Sequence, residues 1–571
     1  MEKTVNLVEL FSGIGSQAKA LKNLGLQVNI QGTCEWDIHP ISAYDVIHNA
    51  PDIPDDIQSM TKEELLTILR NYTFSNSGKA PLEYNSLRTY SEAVLRRIYT
   101  SIRRNKNFVD ITQLDGAKLP GNIDILTYSF PCQDLSNVGA FHGYNKGIDK
   151  DSGSRSSLLW QVGRILTEMR KADIALPRYL LLENVPTLLS KRHFENFKMW
   201  IRDLEELGYV SQYYQLNACS FGLPQNRPRL LMISIYVGDD NVKWQLVQKY
   251  FDSKNDPSSV IEDYRNSAFF KQYSVQELLR TNYANRKIMD EAIESTPNNT
   301  VSRQKIWEDN PQIILPDGTF NTAIDAVRTI TTKQDRNPNS GNLFFDSGIE
   351  GRSKFRYLTP RECLLFMGFT DEDFRQLKYN NVDFHRGDAV FARDKIIRMA
   401  GNSIPVKLLE GIFYQILQID KMLKEYHNSQ QPGIDENQVQ EYYSDLIRSH
   451  MFRNGIRSRI KKDDFIPGNA TVVYPKYKTA IYIRKCWDAN QTNNDAECTL
   501  CNSSYWKSRC EKAHEHEQEQ YADALNKGWS VILVKPCELS KEHLEETITW
   551  MHCCVGKGLS EENRGSVYRR G

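Results

Sequence analysis

The sequence predicts an α/β protein in which buried parallel strands end in loops that carry reactive side chains. Apolar runs at 5–10, 124–128 and 178–182 have the length and composition of buried strands. An amphipathic helical pattern follows the first run, and Gly25 closes that helix. The loops after these runs carry glycine, cysteine or carboxylate groups, and open α/β sheets place their sites at the carboxyl ends of their strands.

The size and composition of the chain limit its organisation. Its 571 residues predict two or three domains, because single cores rarely grow past about 250–300 residues. The 72 basic and 72 acidic side chains balance, which neither indicates nor excludes a nucleic-acid partner. No apolar run is long enough to predict a membrane span. The odd number of scattered cysteines, and a first segment that resembles a strand rather than a signal peptide, indicate a reducing cytoplasm.

The first strand leads into a glycine turn that suits a nucleotide-like cofactor. Gly13 and Gly15 let a ligand approach the backbone, and the helix that follows offers free N–H groups. A plain tight turn explains these two glycines about equally well. The next strand, at 28–34, ends in Glu35 and Trp36. An acidic residue there suits a ribose hydroxyl pair, and Trp36 either stacks on an adenine or caps the core.

Cys132 is the candidate nucleophile. It follows the strand at 124–128, and Pro131 prevents that strand from continuing. A thiol on such a loop suits covalent chemistry, and a buried, inert cysteine is the alternative. The polar, glycine-rich residues 139–157 are long for a structureless connection, so we interpret them as a loop that closes over the site.

Other charged residues stand at the same predicted edge of the sheet. Glu183 ends a strand and could donate a proton if its pKa is raised. Arg227 and Arg229 stand immediately before a further strand, where they either clamp an anion or a base or form surface salt bridges. Residues 51–106 look helical and polar, and we interpret their paired arginines as solvated helix faces, with a DNA-backbone contact as the alternative.

Taken in order over about 4–420, these blocks resemble the C5-cytosine DNA methyltransferases. The matching blocks are Leu10-Phe11-Ser12-Gly13-Ile14-Gly15, Glu35-Trp36, Asp110-Ile111, Phe130-Pro131-Cys132-Gln133, Glu183-Asn184-Val185, Gln225-x-Arg227-x-Arg229, Arg328-Thr329-Ile330-Thr331 and Gly401-Asn402-Ser403. The resemblance implies a Rossmann-like domain that uses S-adenosylmethionine and carries a smaller target-recognition domain. The cofactor residues that it implies are Phe11, Gly13 and Gly15 in the turn, Glu35 at the ribose, Trp36, Asp110 and Ile111 around the adenine, and Asn402 and Ser403 at the close of the pocket.

The resemblance also implies the chemistry. Cytosine C5 is a poor nucleophile until a thiolate, here Cys132, attacks C6 of the ring. A protonated Glu183 would donate a hydrogen bond to N3, and Arg229 would stabilise the ring through O2. Arg227 would hold the backbone or the ring nearby. The target cytosine lies inside double-stranded DNA, so it must be flipped out of the stack.

The resemblance divides the first 439 residues into domains. Residues 1–237 and 327–426 form the catalytic domain, and residues 238–326 form the target-recognition region. That region is rich in arginine, lysine, asparagine and glutamine, which read bases in the major groove. The polar residues 334–342 are near it and could also reach the duplex. Residues 427–439 form a linker.

Residues 440–571 form a separate domain that resembles the very-short-patch-repair mismatch endonucleases. The matches are Ile466-Pro467-Gly468, the run 472–482, Cys486-Trp487, Tyr505-Trp506 and the run 527–534. A restriction-endonuclease-like α/β fold is implied. Asn469-Ala470-Thr471 stand where that family carries a metal-binding aspartate, so we expect no nuclease activity. Cys486, Cys498, Cys501 and Cys537 match a structural zinc site of that family, with free thiols as the alternative.

The leading hypothesis is a sequence-specific DNA methyltransferase of bacterial or phage type. Its partners would be double-stranded DNA and a cognate restriction endonuclease, within a restriction-modification or epigenetic system. The alternatives are a methyltransferase with an active nickase domain, an RNA cytosine methyltransferase and a non-catalytic DNA-binding protein. Intact Cys132 and Glu183 argue against the last of these, and the absence of aspartate at position 471 argues against a nickase.

Overall fold

A computed structural model describes most of the chain as two compact units. The described residues are 4–49, 51–131, 155–385, 388–429, 436–453, 455–457, 470–483, 517–534, 536–539, 543–557 and 565–569. The first unit comprises Met1–Gly238 and Lys254–Gln418, and the second comprises Asp239–Ser253 and Ile419–Gly571. None of the helices in these described ranges is both long enough and apolar enough to cross a membrane.

The regular elements are numbered in chain order. The strands are β1 (Thr4–Leu10), β2 (Gln27–Cys34), β3 (Ile125–Tyr128), β4 (Tyr179–Asn184), β5 (Tyr209–Asn217), β6 (Gln225–Asn226), β7 (Pro228–Tyr236), β8 (Gln312–Ile314), β9 (Val327–Arg328), β10 (Asn342–Phe344), β11 (Phe355–Tyr357), β12 (Asp383–His385), β13 (Asp388–Ala389), β14 (Val472–Tyr474), β15 (Thr479–Ile483), β16 (Ser530–Val534) and β17 (Val567–Arg569). The helices are α1 (Ser16–Asn23), α2 (Ile38–His48), α3 (Asp55–Gln58), α4 (Lys62–Leu69), α5 (Tyr84–Arg88), α6 (Glu92–Arg104), α7 (Leu159–Lys171), α8 (Phe194–Glu206), α9 (Asn241–Ser253), α10 (Pro257–Arg265), α11 (Val275–Leu278), α12 (Arg286–Glu294), α13 (Val301–Asp309), α14 (Pro360–Phe366), α15 (Asp371–Tyr379), α16 (Arg393–Asn402), α17 (Val406–Ser429), α18 (Glu436–Arg453), α19 (Glu517–Asn526) and α20 (Leu544–Lys557).

The first unit is built on a mixed six-stranded sheet in the order β2-β1-β3-β4-β7-β5. Strands β1 to β4 pair in parallel, and β1, β3 and β4 coincide with the predicted apolar runs. Strand β7 pairs antiparallel with both β4 and β5. The connection from β5 to β7 is only ten residues long (218–227), which is too short for the crossover that a parallel pair requires. The predicted parallel sheet is therefore mixed at one edge.

Two helices fix the strand that leads to Pro131. Helices α7 and α8 pack their apolar faces against the sheet, and Trp200 of α8 is fully buried. The Trp200 indole N–H donates to the Tyr128 hydroxyl at 3.1 Å, at the end of β3. Gly163 of α7 allows this approach, because a Cβ there would lie 3.0 Å from the Trp200 ring. The end of β3 is thus held by both packing and a hydrogen bond.

The arginines of the 51–106 segment form ion pairs within the protein. Arg97 and Arg104 of α6 lie 3.9 Å and 3.2 Å from the Asp45 carboxylate of α2, which is fully buried. Arg103 bonds to Asp56 of α3. Arg97 and Arg104 thus attach α6 to α2, and Arg103 joins α6 to α3 at an exposed site.

A buried ion pair joins the second, three-stranded sheet of this unit, which has the order β11-β10-β8, to helix α14. Arg356 of β11 and Glu362 of α14 are both completely buried, and their closest nitrogen and oxygen are 2.7 Å apart. The Arg356 guanidinium also donates to the hydroxyl of Tyr283 and to the carbonyl oxygen of Arg280. It therefore connects β11, α14 and the segment that precedes α12.

Replacing Arg356 with alanine is expected to lower the free energy of unfolding by at least about 3 kcal/mol. The substitution leaves the Glu362 carboxylate buried without its cation. Urea unfolding measures the change, with Lys354→Ala as the control. Lys354 pairs with Asp346 at an exposed site, 3.2 Å apart, so its loss should cost less than about 1 kcal/mol. Equal stability of the two variants would contradict the prediction.

The second unit has its own sheet and core. Strands β14 to β17 form a four-stranded sheet in chain order, in which β14 is antiparallel and the other pairs are parallel. Helices α18 and α20 contribute apolar side chains to one of its cores. Helices α17 and α18 also extend into the predicted linker at 427–439.

Helix α9 belongs to this second unit, although it lies within the predicted target-recognition region 238–326. Lys249 of α9 forms an ion pair with Asp445 of α18 at 3.1 Å. Gln245 donates a hydrogen bond to the carbonyl oxygen of Leu539. The first unit resumes at Lys254, so the predicted region is divided between the two units.

Candidate functional site

One cavity of about 410 Å³ lies at the carboxyl ends of β1 to β4 and contains most of the predicted site residues. Its lining includes the predicted cofactor residues Phe11, Gly13, Glu35, Trp36, Asp110, Ile111, Asn402 and Ser403. It also includes Pro131 and the predicted catalytic residues Glu183, Arg227 and Arg229. Parallel strands bring these sequence-distant blocks to one edge of the sheet. Cys132 and the predicted closing loop up to residue 154 lie outside the described residues.

The turn after β1 has the backbone that a close ligand requires. Phe11 and Gly13 both adopt left-handed conformations, with φ of 60° and 53°. The space where a Gly13 Cβ would stand is open, with nothing within 4 Å. The Gly13 N–H donates to Oε2 of Glu35 at 3.1 Å. The turn and the carboxylate at the end of β2 therefore form one connected wall of the cavity.

Gly15 follows this turn and packs against α2. It lies outside the cavity lining, and a Cβ at this position would lie 2.3 Å from the His48 ring and 2.7 Å from the Tyr44 ring. Its φ of 76° also favours glycine. Gly15 is therefore required for the packing of α2 against the start of α1.

Burial and backbone contacts determine the pKa and the orientation of the Glu35 carboxyl group. Burial raises its pKa to about 7, and the neighbouring Asp37 carboxylate adds to the rise. The N–H groups of Gly13 and Asp37 donate to its two oxygens at 3.1 Å and 2.9 Å and oppose that rise. The carboxylate is thus held in one orientation before any ligand arrives, as a specific hydroxyl acceptor requires.

Asn107 positions Glu35, and sequence reasoning did not identify it. Its carboxamide oxygen accepts hydrogen bonds from the N–H groups of Glu35 and Val109, both at 3.0 Å. Its amide nitrogen donates to the carbonyl oxygen of Glu35, also at 3.0 Å. Val109 is forced to a φ of 65°, which is unusual for a β-branched residue and occurs mainly at functional sites. No local sequence pattern marks either residue.

Replacing Asn107 with alanine is expected to weaken binding of S-adenosylhomocysteine by roughly tenfold, because it leaves buried backbone groups unpaired. Isothermal titration calorimetry measures this affinity. Asn71→Ala is the matched control, because the Asn71 side chain bonds to its own helix end on the surface. An unchanged affinity in Asn107→Ala would contradict a positioning role for this residue.

The cavity lining also holds a carboxyl group and a guanidinium side by side. Nε of Arg229 lies 2.9 Å from Oε1 of Glu183, and both side chains are nearly buried. Burial raises the pKa of Glu183, although Arg229 and Arg227 oppose the rise. The sequence predicted Arg229 immediately before a strand, but it lies within β7. The antiparallel pairing of β4 and β7 therefore sets this contact. The arrangement provides an acid with a raised pKa beside a fixed cation.

Arg227 acts on the protein's own backbone. Its guanidinium donates to the carbonyl oxygens of Ile330, Gly401 and Ser403, at 2.6, 2.8 and 2.8 Å. Gln225 accepts from the Ile330 N–H at 3.0 Å. These contacts hold together the two late sequence blocks that close the cavity, so Arg227 is a positioning residue.

Asn184 fixes the approach to the candidate nucleophile. Its amide nitrogen donates to the carbonyl oxygen of Phe130 at 3.1 Å, and its oxygen accepts from the Val185 N–H at 2.8 Å. The ends of β3 and β4 are therefore tied together one residue before Pro131, which lines the cavity. The backbone that leads to Cys132 is thus directed to the same cavity as Glu183.

The predicted zinc site falls mostly on residues that the structure does not describe. Cys486, Cys498 and Cys501 are outside the described residues, and the backbone of Cys537 lies in a short 3-10 helix, Pro536–Leu539. Within the described part of the chain, no cluster of histidine, cysteine and carboxylate groups could hold a metal ion.

Comparison with known proteins gives a consistent family. A family model described as C-5 cytosine-specific DNA methylase matches residues 91–418. Type II methyltransferase M2.ScrFI of Lactococcus lactis subsp. cremoris is 30% identical over 420 residues, which cover 72% of this chain and 99% of that protein. Orphan methyltransferase M.SssI of Spiroplasma monobiae is 31% identical over 423 residues, which cover 72% and 97%.

Solved structures give a weaker likeness. The S. pombe Dnmt2 methyltransferase is 14% identical, with a TM-score of 0.41, and the match covers 73% of this chain and 98% of that protein. Residues 419–571 of the second unit lie beyond the range that the family model matches.

Proposed function

Since the chain belongs to the C-5 cytosine-specific DNA methylase family and is a DNA (cytosine-5-)-methyltransferase, we propose that one end of its cavity binds S-adenosylmethionine and the other a flipped cytosine. The observation that carries this proposal is the joint lining of one cavity. The Gly13 turn, Glu35 and the Glu183–Arg229 pair all line it. Such a cavity can hold a methyl donor and its acceptor together.

The residues of the first end fit the adenosyl part of S-adenosylmethionine, which supplies the methyl group. Glu35 offers a fixed carboxylate for ribose hydroxyls, and the left-handed turn at Gly13 leaves open space beside the backbone. Trp36 and Ile111 provide apolar surface for the purine, with Asp110 as a polar group at its edge. Asn402 and Ser403 complete this part of the lining.

The residues of the second end fit a cytosine ring. The Cys132 thiolate forms a bond to C6, and electrons move into the ring so that C5 becomes nucleophilic. Glu183 in its protonated form donates to N3, and Arg229 stabilises the charge that develops at O2. After C5 gains the methyl group, loss of the C5 proton and elimination of the Cys132 sulfur restore the aromatic ring.

Transfer of label from S-adenosylmethionine to mixed genomic DNA tests the proposal, with bisulfite sequencing to map the modified bases. We expect 5-methylcytosine at one recurring sequence. Label on RNA but not on DNA would favour the RNA alternative. Absence of transfer to both nucleic acids, from protein that is folded, would overturn the proposed substrate and cofactor.

For target recognition, we propose that residues 238–326 read the sequence together with the polar loop at 334–342. Arg303 of α13 pairs with Asp335 of the loop at 3.1 Å. Asn337 donates to the Asp309 carboxylate, at the other end of α13, at 3.0 Å. These bonds make α13 and the loop one surface, which carries exposed lysine, arginine and glutamine side chains of the kind that contact DNA. The bisulfite map identifies the sequence that this surface reads.

For the C-terminal domain, we propose a restriction-endonuclease-like fold that has lost nuclease activity. Thr471 stands where the resembled endonucleases carry aspartate, and its hydroxyl accepts a hydrogen bond from the Ile483 N–H at 3.2 Å. A hydroxyl engaged in the sheet cannot replace a carboxylate as a Mg²⁺ ligand. Magnesium-dependent nicking of plasmid DNA by the purified protein would contradict this and support the bifunctional alternative.

We also propose a structural zinc ion on Cys486, Cys498, Cys501 and Cys537. The support is the spacing of the cysteines, since a Cys-x-x-Cys pair suits one tetrahedral ion. Elemental analysis of the intact protein should give one zinc per chain, and Cys498→Ser should reduce it. Zinc-free, folded protein would overturn this assignment.

In the cell, we propose that the enzyme protects DNA in a restriction-modification system, with a cognate endonuclease as partner. One relative is described as a type II methyltransferase and another as an orphan methyltransferase. Protection of the mapped sequence from an endonuclease of the same host tests the pairing. If no endonuclease of the host cleaves the mapped sequence, the enzyme is an orphan methyltransferase, which acts without a cognate endonuclease.

A further inference from the structure

A short segment outside the matched sequence blocks forms part of the cavity wall. Residues 73–81, here called the strap, lie between α4 and α5 in the 51–106 segment. Thr73, Gly78 and Pro81 of the strap line the same cavity as Glu35 and Trp36. Thr73 and Pro81 are exposed, so they stand at the rim of the cavity. None of the proposed cofactor or catalytic residues comes from this segment.

Backbone hydrogen bonds place the strap beside the end of β2. The N–H of Ser75 donates to the carbonyl oxygen of Trp36 at 2.8 Å. The carbonyl oxygen of Ser75 accepts from the N–H of Ile38 at 2.9 Å. The strap therefore extends the wall that Glu35 and Trp36 begin, which is the end proposed for the adenosyl group.

Hydrogen bonds within the strap and to Leu82 also hold its two ends together. The Ser75 hydroxyl donates to the carbonyl oxygen of Ala80 at 2.7 Å and accepts from the Gly78 N–H at 2.9 Å. The N–H of Leu82 donates to the carbonyl oxygen of Phe74 at 2.7 Å, and the Phe74 side chain is buried. Because these contacts are made within the protein, the segment holds its shape before a ligand binds.

Arg398 attaches the strap to the helix that carries Asn402. Its guanidinium donates to the carbonyl oxygen of Asn76 at 3.2 Å and lies 2.9 Å from the Asp37 carboxylate. Arg398 belongs to α16, which ends at Asn402, so one side chain joins walls from two distant parts of the sequence. The planar guanidinium can hold both partners at once.

We propose that the strap is an additional wall of the adenosyl site, positioned by Arg398, and that it contributes to the affinity for adenosyl sulfonium ligands and their thioether products. The inference rests on the proposed cofactor site, because it assigns the ligand of that end of the cavity. It goes beyond that proposal by adding Thr73, Gly78 and Pro81 as contacts and Arg398 as a positioning residue.

Calorimetric binding of S-adenosylhomocysteine tests the strap. Thr73→Trp places a bulky ring at the rim and should weaken binding by roughly tenfold. Lys79→Trp is the matched control, because Lys79 is an exposed strap residue outside the cavity lining, and its affinity should stay within about twofold. Arg398→Ala should also weaken binding, and Arg398→Lys should restore part of the loss. The affinity for DNA should not change.

Hydrogen exchange on the unaltered protein gives a second measurement that does not depend on a variant folding. Amides of the strap should exchange more slowly when S-adenosylhomocysteine is bound. Unchanged exchange together with wild-type affinity in Thr73→Trp would overturn the strap proposal while leaving the cofactor site intact. If the unaltered protein binds neither S-adenosylhomocysteine nor S-adenosylmethionine, the proposed cofactor site itself fails.

Discussion

Replacing Cys132 with serine is expected to lower the rate of methyl transfer by about 10⁴-fold or more, because the covalent step loses its nucleophile. A serine hydroxyl has a far higher pKa than a thiol, so almost none of it is ionised near neutral pH. The bond from Asn184 to the Phe130 carbonyl holds the preceding backbone and should persist in the variant. Single-turnover transfer to DNA that contains the mapped sequence measures the chemical step.

A covalent readout separates this prediction from a general loss of structure. DNA with 5-fluorocytosine at the target retains the enzyme, because C5 of the adduct carries fluorine where elimination of the enzyme requires loss of a proton. The unaltered enzyme should form a denaturation-resistant complex with this DNA, and Cys132→Ser should form none. Cys219→Ser is the matched control, because Cys219 is a half-buried free cysteine outside the cavity lining. A covalent complex with Cys132→Ser would assign the nucleophile elsewhere.

Replacing Glu183 with glutamine is expected to reduce the transfer rate by about 10²–10³-fold, a typical effect of losing one electrostatic stabiliser. A glutamine amide can donate a hydrogen bond to N3 of cytosine, but it cannot transfer a proton as charge develops on the ring. The substitution also removes the carboxylate beside Arg229, 2.9 Å away. Binding of S-adenosylhomocysteine should stay close to wild type, because Glu183 is not one of the residues proposed to hold the cofactor.

The pH profile identifies the role of the Glu183 proton. Burial raises the pKa of Glu183, and the protonated form predominates below that pKa. The single-turnover rate of the unaltered enzyme should therefore fall as the pH rises through the raised pKa of Glu183. Glu183→Gln should lack this decline, because its side chain does not titrate.

Glu195→Gln is the matched control, since Glu195 is an exposed carboxyl on α8 that pairs only with Lys198 among the described ion pairs. It should keep both the wild-type rate and the wild-type pH profile. A wild-type rate in Glu183→Gln, or the same pH decline in both enzymes, would exclude proton donation by Glu183.

The sequence alone predicted the local elements and the chemistry of the site. Strands β1, β3 and β4 follow from apolar runs that are largely buried along their length, which leaves little choice of structure. The cavity contains Gly13, Glu35, Glu183 and Arg229 together because residues after parallel strands meet at one edge of the sheet. Such inferences succeed because they depend on short-range patterns and on a topological rule.

Tertiary contacts revealed structural roles that the sequence pattern left open. Gly15 packs against the rings of α2, and Arg227 bonds to backbone carbonyls from residues far along the chain. The arginines of 51–106 could have faced DNA, but buried and exposed carboxylates of α2 and α3 pair with them instead. In each case the partner is distant in sequence, so no local pattern could identify it.

Asn107 and the strap are the clearest cases of residues whose roles no local sequence pattern could reveal. An asparagine before a strained valine and a polar loop between two helices have no distinctive sequence pattern. Their roles depend on hydrogen bonds to Glu35, Trp36 and Ile38, about 35–75 residues away along the chain. The sequence by itself thus determined the strands, the reactive groups and the edge of the sheet where they meet. The tertiary structure decided which side chains hold those groups in place, because those contacts exist only once the chain has folded.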